Sequence, residues 1–159
     1  METEHKIEFT KAFPADIPLI SKMIEKLYIG ENTAYDETNV NSALLELIGD
    51  ESYGACWILT SGADRAGYMI IGSAFSVEFG GRTAFIDELY ISENCRGKGL
   101  GRKALEFAEN YAGEKGYTYL RLEVELSNTP AQKIYRANGF KEHERYIMTK
   151  KLKLDYRDD

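Results

Sequence analysis

Nowhere in the 159 residues is there an apolar run approaching the roughly 18 residues that a membrane-spanning helix needs. The start, Met1-Glu2-Thr3-Glu4, is acidic and has no apolar core, so no secretory signal is read there and the cytoplasm is the expected location. Cysteine is scarce. Cys56 and Cys95 stand far apart, with no CxxC and no Cys/His ligand spacing, which predicts two reduced thiols, no structural zinc and no metal cofactor. An excess of basic residues is also missing: 20 Lys and Arg against 26 Asp and Glu leave a net charge of -6. Phosphate backbones need a basic surface, so nucleic acid is not an expected partner. A cationic partner would instead be steered favourably. There is no repeat, no low-complexity tract and no linker-like stretch, so residues 1–159 read as one domain with its core over about 5–152. The polar run Asp155 to Asp159 is expected to fray.

What is present is a regular alternation of patterns. Lys6 to Thr10 alternates as a strand. Ile17, Ile20, Ile24, Leu27 and Tyr28 recur at helical spacing, predicting a helix over 16–28 with Asp16 as N-cap and Pro18 in its first turn. A loop over Gly30 to Thr33 precedes a shorter helix over 38–48. Tyr53–Thr60, Ala66–Glu78 and Thr83–Ile91, separated by turn residues at 61–64 and 80–81, predict an antiparallel meander. Then the period changes. Leu100, Ala104, Phe107, Ala108 and Tyr111 predict a helix over 99–113, Tyr117–Leu126 a strand, Thr129–Asn138 a helix, and Lys141–Leu152 a last bent strand or strand pair. The fold class expected is α/β in the broad sense, a mixed sheet with helices on both faces.

Between the strand ending at Ile91 and the next helix lies Arg96-Gly97-Lys98-Gly99-Leu100-Gly101-Arg102. Glycines let backbone N–H groups approach an anion without an intervening Cβ. A helix N-terminus adds unpaired donors and the positive end of a dipole. Arg96, Lys98 and Arg102 add charge. The segment is a pyrophosphate cradle in physical terms, although a basic turn capping a helix would carry similar residues. The dinucleotide fingerprint GxGxxG fails because Arg102 occupies the third glycine position, and the P-loop pattern fails as well. What remains is Arg-x-x-Gly-x-Gly.

A second segment, Asn128 to Phe140, follows the next strand. The Asn128 amide can pair with a ligand amide or cap the helix. Tyr135, seven residues on, shares its helix face, where its phenol can reach the same strand end or pack as a half-buried core ring.

Together these segments resemble the GCN5-related N-acetyltransferase (GNAT) superfamily. Arg96-x-x-Gly99-x-Gly101 looks like its acyl-CoA pyrophosphate motif, and Asn128 to Phe140 like its Asn-x-x-Ala-x-x-x-Tyr-x-x-x-Gly-Phe motif. The resemblance covers about residues 5 to 152. It implies a mostly antiparallel sheet whose central parallel strands, Thr83–Ile91 and Tyr117–Leu126, splay apart around acetyl-CoA. It further implies that Leu89, Tyr90 and Ile91 pair with the pantetheine arm, that the N–H groups of Gly97 to Arg102, Leu100 among them, hold the pyrophosphate, and that Asn128 and Tyr135 face the pantetheine and the sulfur.

The reaction so implied is attack of an amine on the thioester. Tyr135, with an ordinary phenol pKa near 10, is the candidate acid for the departing thiolate. Candidate bases are Asp87, Glu88 and Glu123, with Glu88 placed first. Asp87 and Glu88 are adjacent in a strand, so they face opposite sides unless a bulge intervenes. Tyr28 and Tyr35 flank a loop that in the family often lines the acceptor site, and such an aromatic wall could hold a cation. A small cationic amine such as a polyamine is the first acceptor expected. A protein N-terminus or lysine, suggested by Leu122-Glu123-Val124, and a non-catalytic acyl-CoA sensor are the alternatives. The exposed edges of a mixed sheet would also admit a homodimer.

Overall fold

The computed structural model describes residues 6–152. The expectation for Asp155 to Asp159 lies outside them. In chain order the elements are β1 (Ile7–Lys11), α1 (Ile17–Gly30), α2 (Glu37–Gly49), β2 (Gly54–Ser61), β3 (Asp64–Ser76), β4 (Gly81–Ile91), α3 (Leu100–Glu114), β5 (Tyr119–Leu122) and α4 (Thr129–Ala137). The sheet runs β1-β2-β3-β4-β5. Its first three pairings are antiparallel and β4–β5 is parallel. The mixed sheet and its helices are those expected.

Period-two alternation divides the core between two faces. From β3, Tyr68 and Ile70 meet Ile20, Ile24 and Leu44 of α1 and α2. The intervening Met69 and Ile71 meet Ala104, Leu105 and Ala108 of α3. β2 divides likewise, Cys56 and Ile58 against Trp57 and Leu59. Both cysteines are free and buried.

Two helix starts differ in detail from expectation. Asp16 is the N-cap residue of α1 as expected, but its carboxylate makes no cap bond to that helix: it closes a 3-10 turn (Pro14–Asp16) and accepts from the Phe13 N–H at 2.9 Å. α2 begins one residue early because Asp36 is its cap, accepting from the Asn39 N–H at 3.0 Å.

The largest correction concerns the end of the chain. Among the described residues, 141–152 form no strand. β5 stops at Leu122 instead of reaching Leu126, so the edge onto which a following strand would pair is only four residues long. The segment is held instead by side chains. Arg145 donates from both Nη atoms to Glu78, at 3.0 and 2.7 Å, and His143 stands edge-on to Phe79. Tyr146 and Met148 are left exposed.

Candidate active site

β4 and β5 pair over four positions, from Thr83 with Tyr119 to Ile86 with Leu122. β4 then continues to Ile91 with β3 as its only strand neighbour among the described residues. The two strands have therefore parted, which leaves one side of the backbone of Asp87, Glu88, Leu89, Tyr90 and Ile91 without a strand partner. The splay also explains why β5 is shorter than the pattern of Tyr117–Leu126 suggests.

The glycine loop lies beyond the end of this cleft. Buried Cys95 and Leu100, packed with Ala66, anchor it on both sides. Between them Arg96, Gly97, Lys98 and Gly99 are exposed. Gly97 and Gly99 have φ of 73° and 77°, and a Cβ at either would meet no atom within 4 Å. Gly99 is the N-cap of α3, and no side chain caps that helix end. The first N–H groups of α3 are thus presented across an open, left-handed turn that suits a phosphate. The Arg96 Nε donates to the Ile91 carbonyl at 2.8 Å, tying the loop to the end of β4. Arg102 pairs with Glu106 at 2.9 Å on the α3 surface. A cavity of about 570 Å³ joins this region to the end of α1, lined by Lys26, Ile29, Gly30, Tyr90, Ser92, Glu93, Asn94 and Arg96. The residues present therefore fit an acyl-CoA.

Beyond the end of β5, Asn128 Oδ1 accepts from the Ala131 N–H at 3.2 Å and so caps α4. Tyr135 is half-buried, its ring 5.9 Å edge-on from Phe140. Burial, and secondarily Glu31, raise its phenol above the ordinary value.

The carboxylates are set by a bulge. Ile70 opposes Glu88 and Ile71 opposes Ile86, so Asp87 is one residue too many on β4. In a regular strand Ile86 and Glu88 would share a face. The extra residue flips the alternation, so Ile86 packs toward α3 while Glu88 points to the α1 side. There Glu88 accepts from two phenols, Tyr28 at 2.6 Å on Oε1 and Tyr68 at 2.7 Å on Oε2. Asp87 remains surface-accessible at the bulge, yet the desolvation around it raises its carboxyl above the ordinary range. Glu123 lies just past the end of β5 and is exposed.

Two contributors escaped the sequence reading. Tyr68 read only as a strand aromatic, and no local signal marks its phenol as a partner of Glu88, twenty residues away. Glu31 sits in the loop after α1. Its carboxyl is raised by desolvation and by Glu125 and Glu88. Only knowledge of how α1 lies on the sheet would have brought it to this cleft. Among the described residues no group of three or more His, Cys, Asp or Glu could hold a metal ion, and no helix is long and apolar enough to cross a membrane.

The same architecture occurs in a predicted acetyltransferase of Clostridium acetobutylicum solved with acetyl-CoA. That structure superposes with a TM-score of 0.77 at 17% identity, over 91% of this chain and 96% of that one. In sequence, the chain is 28% identical to the streptothricin acetyltransferase of Streptomyces lavendulae, over 88% of this chain and 85% of the relative. It is 32% identical to the uncharacterized N-acetyltransferase YhfO of Bacillus subtilis over 42% of this chain, a match spanning only 44% of that protein. The family model for the acetyltransferase (GNAT) family matches residues 21–140, which take in α1, the parted strands, the glycine loop and all of α4. With the family model taking in both motifs, the chain belongs to the GNAT family of acetyl-CoA-dependent N-acetyltransferases.

Proposed function

We propose that this chain acetylates a primary amine of a small cationic molecule, such as a polyamine. The observation that carries the reading is the group of carboxylates gathered at the β4 bulge. Asp87 and Glu88 stand with Glu31 close enough that Asp87, Glu88 and Glu31 all raise the Tyr28 phenol, after its own burial. Glu31 is itself raised by desolvation and then by Glu125 and Glu88, and an incoming cation would relieve that repulsion. Tyr28 and Tyr35, with ring centroids 6.4 Å apart, add aromatic surface beside them.

Acetyl-CoA would supply an activated thioester carbonyl. Leu89 to Ile91, the loop from Arg96 to Arg102, and Asn128 are the residues we assign to holding it. Tyr135 is assigned as the acid. A phenol is protonated at neutral pH even at its ordinary pKa near 10, and burial raises this one further, so a proton is available for the leaving sulfur. A backbone N–H at Leu89 or Ile91 is assigned to steady the charge developing on the carbonyl oxygen. The acceptor must also lose a proton. For an amine of pKa about 10.4 that costs roughly 4–5 kcal/mol at pH 7. Of Asp87, Glu88 and Glu123, Glu88 best fits the base, because two phenols fix its position.

The test is release of CoA thiol from acetyl-CoA against polyamines, aminoglycosides, streptothricin, amino acids and short peptides. Turnover concentrated on polyamines or other small cations supports the proposal. Turnover on peptides alone would replace it with a protein acetyltransferase. Tight acetyl-CoA binding with no turnover on any amine would replace it with a sensor.

A further inference from the structure

Each carboxylate oxygen of Glu88 accepts from a phenol, and the two phenols differ in how far they reach toward the cleft. Tyr68, on Oε2, is completely buried. Tyr28, on Oε1, is only half-buried and lies in the last turn of α1, beside the loop over 31–36. That loop is fixed in turn: the Tyr35 ring meets the Tyr28 ring edge-on, and the Tyr35 hydroxyl bonds Ser21 Oγ at 2.7 Å. A phenol has one proton and two lone pairs. With its proton directed at Glu88, Tyr28 can offer a ligand only its lone pairs, and lone pairs suit an ammonium.

The geometry points to Tyr28 as a further catalytic residue, one that accepts a hydrogen bond from the acceptor nitrogen and conducts a proton from it to Glu88, while Tyr68 holds the carboxylate in place. This inference rests on the amine-acetyltransferase reading above. In the step, an ammonium N–H bond breaks and its proton joins the Tyr28 oxygen as the original Tyr28 proton moves to Glu88 Oε1. The nitrogen keeps the electron pair with which it attacks. The nitrogen's second proton replaces the one that Tyr135 gives to the sulfur, and Glu88 returns its proton to solvent by the same path after the amide leaves. The other groups facing this pair are Tyr68 and Cys56 from β3 and β2, Asp87 from β4 and Glu31 beyond α1. Cys56 stays a thiol, pushed up to about 12 by burial and then by Glu88. Tyr28 is raised as well, so it works as a neutral phenol rather than a phenolate.

The experiment measures spermidine acetylation, or that of the panel amine turned over fastest, from pH 7 to 10 in the native chain, Tyr28→Phe, Glu88→Gln and the double variant. Acetyl-CoA affinity and melting temperature are followed alongside. The expected result is a fall in kcat of about 100-fold at pH 7 in each single variant. The double variant should be no worse than either single one, because the two residues form one path. The deficit should close toward unity as the pH nears the amine's own pKa of about 10.4, where a neutral amine needs no base. A deficit that stays constant with pH would reveal a merely structural role and overturn the inference. So would a nearly native Tyr28→Phe beside a crippled Glu88→Gln, which would mean that Glu88 takes the proton directly. Failure of the native chain to acetylate any amine is a separate result, which removes the functional reading and this step with it.

Discussion

Ile86 of β4 and Leu122 of β5 are the last partners in the parallel ladder, and beyond them β4 runs on for five residues with β3 alone beside it among the described residues. The opening this creates leads to the loop at Gly97 and Gly99. Replacing Gly99 with valine would put a β-branched side chain at a φ of 77°, a left-handed conformation costing about 1–2 kcal/mol, and would fill space that is open in the structure. We expect acetyl-CoA affinity to fall by about tenfold or more, read by calorimetric titration. Unchanged affinity would remove the loop from the binding site.

Tyr135→Phe keeps the packing against Phe140 and removes only the hydroxyl. As the acid, Tyr135 must be protonated to act, so its contribution is complete below its raised pKa and lost as the pH climbs through it, above the ordinary phenol value of about 10. The variant should therefore lose about 10²–10⁴-fold in kcat across neutral pH, with acetyl-CoA binding preserved. A loss confined to acetyl-CoA affinity would make Tyr135 a binding residue instead.

Much of this site was legible because its chemistry is local in sequence. The glycine loop, the Asn128 cap and Tyr135 each lie within one turn or one short helix, where the family's motifs can be matched residue by residue. The face of Glu88 was not legible in the same way. Its orientation depends on an extra residue in β4 that becomes visible only once β4 is aligned with β3, because a bulge is a property of a pair of strands. Tyr68 and Glu31 were out of reach for the same reason: they join the site through packing across elements. The expected final strand failed for a related cause. Alternation in Lys141–Leu152 marks a segment able to form a strand, but a strand needs a neighbour, and β5 ends too soon to provide one.

Desolvation leaves Asp87 harder to ionise than in the unfolded chain. The sign follows from linkage. A carboxyl raised on folding adds stability below its unfolded pKa, near 3.9, and that contribution is lost as the pH rises through the folded value. At pH 7 the ionised Asp87 is therefore a burden on the free protein. Asp87→Asn should melt at a higher temperature than the native chain at pH 7, with the gain vanishing as the pH falls toward 4. Turnover on a cationic amine should weaken at the same time, the trade expected where a site stores unfavourable charge. Equal melting temperatures at pH 7 would mean that Asp87 is fully solvated.

Gly67 and Gly72 lie on the same strand and separate two effects of adding a methyl group. At Gly67 a Cβ would stand 2.0 Å from the Tyr90 carbonyl oxygen and 3.2 Å from the Ile91 Cα, both backbone atoms of β4 that no rotamer change can move aside. At Gly72 the nearest atoms, the Phe85 and Tyr53 carbonyl oxygens, are 3.8 and 3.9 Å away. Gly67→Ala should cost about 3 kcal/mol, the upper end for overpacking, and lower the melting temperature by roughly 6–12 °C. Gly72→Ala should stay within about 1 kcal/mol of the native chain. Because Tyr90 and Ile91 form the wall to which the pantetheine arm is assigned, whatever Gly67→Ala protein folds should also bind acetyl-CoA more weakly, whereas Gly72→Ala should bind it normally. Equal stability of the two variants in a urea titration would show that β3 and β4 do not approach as closely at Gly67 as this register requires.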